Sequence, residues 1–182
     1  MNKFCYSLLP LSVILLATTH NATAASNATI TITGNVVAAT CDISLVNSTL
    51  DLGNFSKNKF VTIGTPVPES IKTFSVGLSD CETPLAEDDT ANLVVNGSSL
   101  SGHPTLFNTF DTNVGVMLSP ADAPTAYIKS TDKLQVAKAS ATPTPADYNG
   151  KTLRFQAGLA STSTTPDLGK VSAPITFSFA YN

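Results

Sequence analysis

Tryptophan is absent, histidine occurs twice, cysteine three times, and charged residues make up only 13% of the 182-residue chain. Each shortage closes off a class of function. Arg154 is the single arginine and the lysines are scattered, so no basic stripe exists to neutralise phosphates, and nucleic acid is not an expected partner. Two histidines supply no spaced His/Cys/Asp/Glu set for a metal ion. His103 stands beside Pro104 among turn-forming residues, which suits a loop-packing side chain better than a general base. No nucleophile elbow or phosphate-cradling glycine loop occurs, and no calcium-loop spacing surrounds Asp88-Asp89. The expectation is a protein that is not an enzyme, with no catalytic residue, no cofactor and no metal.

Long apolar runs are equally scarce. The only one, over 8–17, follows Lys3 and precedes Ala22-Thr23-Ala24, the order of parts in a secretory leader cleaved after Ala24 or Ala25. Pro10 and Ser12 interrupt a run already too short to span a bilayer. Residues 1–24 are therefore expected to be removed, taking Cys5, His20 and Lys3 with them and leaving thirteen acidic against nine basic side chains. Cys41 and Cys81 then form an even pair in an exported chain, which is most simply a disulfide. The loop it closes, about 40 residues, is worth roughly 4 kcal/mol on a chain-entropy basis. A zinc site would have to recruit His103, and positions 41, 81 and 103 have no recognisable ligand spacing.

What remains is rich in Thr, Ser, Val, Gly and Pro, which favours strands and turns over helices. Ile30, Ile32, Gly34 and Val36 share one face of an extended segment, with Thr29, Thr31, Thr33 and Asn35 on the other. Gly34-Asn35 is also compatible with a hairpin turn; the continuous strand is preferred because it keeps one apolar face and runs on toward Cys41. Further strands are expected over 40–46, 48–55, 71–81, 91–95, 114–118 and 153–159, with a short one over 133–136. Loops are expected over 57–70, 82–90 and 98–113, and over most of 121–149. The final stretch, 169–182, alternates throughout: Val171, Ala173, Ile175, Phe177, Phe179 and Tyr181 occupy every second position. Seven or eight short strands without a convincing helix fit one domain built as a two-sheet antiparallel sandwich.

Several of these segments together resemble the pilin subunits of chaperone–usher fimbriae, especially the type 1 group. Thr29-Ile-Thr-Ile-Thr-Gly-Asn-Val-Val37 is similar to the family's N-terminal donor segment and is followed at once by Cys41. Phe74-Ser-Val-Gly-Leu-Ser-Asp-Cys81 resembles the strand carrying the second cysteine, and Val114-Gly-Val-Met-Leu118 and Leu153-Arg-Phe-Gln-Ala157 resemble inner strands. Gly169 stands fourteenth from the C-terminus and Tyr181 is penultimate, both as in the family. The chain departs from many relatives at Leu159, where an aromatic residue is common, and 121–149 matches no close family pattern.

The resemblance implies an all-β fold: an incomplete immunoglobulin-like sandwich lacking its final strand, with an N-terminal donor-strand extension. It divides the chain into a signal peptide (1–24), the donor extension (25–37) and the pilin domain (38–182). Ile30, Ile32, Gly34 and Val36 would be the donor residues. Gly169, Val171, Ile175, Phe177, Phe179 and Tyr181 would form the groove and the chaperone-recognition strand. The implied partners are a periplasmic chaperone, an outer-membrane usher and neighbouring pilin subunits, and the implied location is the fimbrium on the bacterial surface, reached through the periplasm. The implied function is a structural subunit polymerising by donor-strand complementation and supporting adhesion. The alternative is a minor tip or adaptor subunit, or a single-domain adhesin binding a host glycan or protein. Burying Ile30, Ile32 and Val36 would contribute about 5–9 kcal/mol gross, at roughly 1.5–3 kcal/mol each.

Overall fold

The computed structural model describes residues 40–182. The expected leader and the expected donor residues Ile30, Ile32, Gly34 and Val36 lie outside the described residues.

Nine strands are described: β1 Asp42–Leu45, β2 Lys72–Ser79, β3 Thr90–Gly97, β4 Ser99–Leu100, β5 His103–Phe107, β6 Val114–Pro120, β7 Lys133–Lys138, β8 Thr152–Ser161 and β9 Ile175–Tyr181. They form a six-stranded sheet in the order β1-β2-β8-β6-β5-β4 and a three-stranded sheet in the order β7-β3-β9. All pairings are antiparallel.

Period-2 alternation determines which side chains lie between the sheets. In β2 and β8, Phe74 lies opposite Phe155 and Val76 opposite Leu153. In β6 and β8, Leu118 lies opposite Ala157 and Val116 opposite Leu159. The small sheet answers with Ala91, Leu93 and Val95, set against Tyr181, Phe179 and Phe177. Apart from Leu159, which packs with Phe60, Val67 and Val114, these residues make or adjoin the main core, together with Ile128 and Tyr148 from the long 121–149 region. A smaller cluster of Leu100, Leu106, Met117 and Ala160, with Tyr127 against it, covers the opposite face of the large sheet.

Cys41 and Cys81 are joined in a disulfide that ties the start of β1 to the chain just beyond β2. The Cys81 N–H donates to Asn149 Oδ1 at 2.9 Å, which attaches the same corner to the 121–149 region.

Besides the final stretch, of which only Ile175–Tyr181 is strand, two expectations differ from the structure. Residues 48–55 form no strand. Their apolar alternation is real, but no strand among the described residues completes a ladder with them, and Gly53 (φ +96°), whose N–H donates to Asp51 Oδ1 at 2.9 Å, turns the chain. Conversely, 98–113 contains β4 and β5, which turn on Ser101-Gly102, where Gly102 has φ +74°. Pro104 falls at the second residue of β5, a position a strand near its end tolerates.

The small sheet ends in two different edges. β7 carries exposed Lys133 and Lys138; the Lys138 ammonium lies 2.8 Å from the Asp88 carboxylate, and the Lys133 ammonium donates to the Asn182 side chain. β9 presents no such charges, and among the described residues its second edge pairs with nothing.

Candidate functional site: an open apolar groove beside the last strand

A groove of about 1100 Å³ opens between two segments that belong to neither sheet's interior. One wall is 45–55, running on from β1. The other is 166–174 with the first residues of β9. The floor is apolar: Phe74, Val114, Val116, Leu118, Ala157 and Leu159. Charges among the lining residues, Asp51, Lys57, Asp167 and Lys170, come from the two walls and the segment after them, none from the floor. The chemistry that would suit such a groove is an extended, uncharged, apolar segment that can supply a backbone ladder as well as side chains.

Phe177 sits where wall meets floor. Its ring centroid is 5.2 Å from that of Phe155 and 6.0 Å from that of Phe74, and those two rings stack at 5.5 Å. Such a trio contributes beyond its buried area because ring edges and faces carry opposite partial charge. At the other end, Val171 packs with Phe55, Phe60, Val67, Val114 and Leu159. The 57–71 segment is held there by paired bonds to β8: the Val67 N–H donates to the Leu159 carbonyl at 2.8 Å, and the Leu159 N–H to Ser70 Oγ at 2.8 Å. Gly158 permits the approach, since a Cβ there would stand 2.8 Å from Pro66.

Of the residues expected to form the groove, Gly169, Val171, Ile175 and Phe177 line it together. Phe179 and Tyr181 continue the same face of β9 but pack against the main core, where β1 and β9 draw close. Only Ile175–Tyr181 is strand; Gly169 to Pro174 forms part of the groove wall without sheet pairing. Gly169 has φ +155°, a conformation that side-chain-bearing residues rarely adopt.

Tyr181 is fastened outside the groove. Its hydroxyl donates to the Asp89 carboxylate and accepts from the Leu85 N–H at 3.1 Å. Burial, and then the bond to Asp89, push its pKa above the ordinary tyrosine value. Nearby Tyr148 is fully buried, and its hydroxyl has no hydrogen-bond partner among the described residues. Burial, followed by the charges of Tyr181, Asp89 and Asp147, pushes Tyr148 up to about 12.

Sequence reasoning missed the 45–55 wall as a wall, together with Phe60 and Thr112. The apolar residues Leu50 and Leu52 were a visible signal, because they alternate with polar neighbours as a half-buried segment does. No cluster of three or more His, Cys, Asp or Glu side chains suited to a metal exists among the described residues.

Residues 30–182 match the family described as Fimbrial protein. The chain is 30% identical over 110 residues to a Type-1 fimbrial protein subunit of Serratia marcescens, across 59% of this chain and 56% of that relative's length. The crystal structure of the P pilus rod subunit PapA superposes with a TM-score of 0.55 at 18% identity, covering 85% of this chain and 99% of the other. That likeness shows the shared fold, an immunoglobulin-like sandwich with a curled sheet and a second, smaller one.

Proposed function

Because the chain belongs to the fimbrial protein family, we propose that it is a structural subunit of a chaperone–usher pilus, polymerising by donor-strand complementation. The observation that carries this reading is the apolar groove alongside the unpaired edge of β9. Segment 25–37 has matching chemistry: it contains no charged residue, and Ile30, Ile32, Gly34 and Val36 alternate along one face. In the polymer, that segment of one subunit fills the groove of the next. Its side chains cover the floor, and its backbone hydrogen-bonds to the edge of β9, an established form of β-strand addition. Glycine at position 34 lets the donor backbone approach a crowded part of the groove.

Before assembly the groove is an aggregation hazard, which gives a physical reason for a periplasmic chaperone that lends a strand and for an usher where the exchange takes place. Gly169, Val171, Ile175 and Phe177 then serve both as chaperone-binding and as donor-binding surface. Phe179 and Tyr181 support the strand from its far end. Export through the periplasm and display on the cell surface follow from the same reading.

The test is deletion of residues 27–36. The truncated subunit is expected to be recovered with the chaperone and to be absent from sheared fimbriae as a donor. Incorporation of the truncated chain into fibres at the parent level would refute the donor assignment.

A further inference from the structure

The groove lip spans Leu168, Gly169, Lys170 and Val171, and none of these four residues makes a hydrogen bond to another described residue. The lip is slung between two asparagines of the β5–β6 connection. On one side, Asn113 holds residues 165–167. Its N–H donates to Asp167 Oδ2 at 2.9 Å, its Oδ1 accepts from the Asp167 N–H at 2.8 Å, and its Nδ2 donates to the Thr165 carbonyl at 3.2 Å. On the other side, buried Asn108 holds Ser172: Asn108 Oδ1 accepts the Ser172 N–H at 3.1 Å. The neighbouring Thr109 takes the carbonyl of the same residue, its N–H and Oγ1 donating to the Ser172 oxygen at 2.9 and 3.1 Å. The remaining capacity of Asn108 is used within its own loop: Nδ2 donates to the Val114 carbonyl at 2.8 Å and to Thr112 Oγ1 at 3.0 Å, and Oδ1 also accepts the Phe110 N–H at 3.1 Å. All four hydrogen-bonding valences of the side chain are filled, so its position is fixed.

We propose that the two anchor points, Asn108 with Thr109 at Ser172 and Asn113 at Asp167, are positioning contacts that hold the lip extended and its backbone open for an incoming strand. Resting on the donor-strand reading above, this assigns the β5–β6 connection a part in assembly. A four-residue lip free at both ends would have to be ordered when a strand binds, and that loss opposes binding. Anchoring Asp167 and Ser172 settles most of it during folding of the subunit, so the groove is pre-organised. The N–H and C=O groups of 168–171, unpaired among the described residues, are then presented as a template.

The exposed partners Thr109 and Asp167 permit a test that leaves the buried asparagines in place. In the full chain, Thr109→Val with Asp167→Ala removes side-chain bonds at both ends of the lip, whereas Thr109→Ser with Asp167→Asn retains a hydroxyl and a carbonyl oxygen at the same positions. Three quantities are measured: binding of a fluorescein-labelled synthetic peptide of residues 28–37, amide exchange at 168–172, and the melting temperature. The Val/Ala variant is expected to melt within a few degrees of the parent, to exchange faster across 168–172, and to bind the peptide at least about fivefold more weakly. The Ser/Asn variant is expected to recover parent-like binding. Binding by the Val/Ala variant within twofold of the parent would overturn the positioning role, as would equal losses in both variants. Failure of the parent to bind the peptide at all would instead overturn the donor-strand reading, and this inference with it.

Discussion

Replacing Phe177 by alanine separates what the groove does for the subunit from what it does for a partner. The ring belongs to a trio with Phe74 and Phe155 and packs against the main core, yet part of it is left open to the groove. A phenylalanine side chain buries about 150–250 Å² when fully covered. If roughly 50 Å² awaits the incoming strand, covering it at about 25 cal/mol/Å² is worth about 1.3 kcal/mol, close to a tenfold change in affinity. The part already buried, with its ring–ring contacts, accounts for about 2–4 kcal/mol of domain stability, somewhat below a fully buried Phe→Ala change. Urea denaturation of Phe177→Ala with and without saturating peptide 28–37 reads both quantities. The variant is expected to lose stability in the empty state and to gain less from the peptide than the parent does. An unchanged peptide-induced gain alongside a loss of empty-state stability would show that Phe177 is core only, and that the groove surface lies elsewhere.

Removing the Cys41–Cys81 disulfide by paired serine substitution is expected to cost about 4 kcal/mol, read as a lowered urea midpoint; a loss under about 1 kcal/mol would contradict the loop-closure account. Gly169→Val meets no atom within 4 Å of its added Cβ, but it must adopt φ +155°, so a backbone cost of about 1–3 kcal/mol is expected, and a melting temperature equal to the parent's would refute it. Tyr148→Phe removes a buried hydroxyl that has no partner among the described residues, so it is expected to be neutral or stabilising, where loss of a used hydrogen bond would destabilise. The same variant tests alkaline behaviour. The folded state favours the neutral phenol of Tyr148, whose pKa rises from the ordinary 10 to about 12. That contribution to stability is therefore fully present below pH 10 and is lost as pH rises through about 12. Tyr148→Phe is expected to flatten the stability–pH curve across this window, and an unaltered slope would remove Tyr148 as its source.

Most strands were legible because burial between two sheets imposes a period of two: Phe74-Val76-Leu78, Leu153-Phe155-Ala157 and Ile175-Phe177-Phe179 each declare a face. The groove was legible only on one side. Gly169, Val171, Ile175 and Phe177 signalled it by alternating with no polar relief, whereas Leu50 and Leu52 sent the same signal from a segment that never enters a sheet. Periodicity reports which side is covered, not what covers it, so a groove wall and a paired strand read alike. Asn108 and Asn113 were illegible for a different reason. An asparagine in a loop is ordinary, and only the fold shows that residues more than fifty positions further along the chain lie within hydrogen-bonding distance of them. Tyr181 was expected beside the groove residues. It shares their face, but its anchor, Asp89, comes from 82–90, a stretch the sequence marked only as a loop.

The unlike edges of the three-stranded sheet bear on the shape of anything this subunit builds. Two receptive edges and one donor would make a trifunctional monomer, and trifunctional monomers branch and gel. The lysines on β7, one paired with Asp88 and the other bonded to Asn182, remove that edge from use. On the donor-strand reading, the small sheet then keeps one acceptor edge, β9, to match one donor, 25–37, and that pairing would build a linear fibre with a direction.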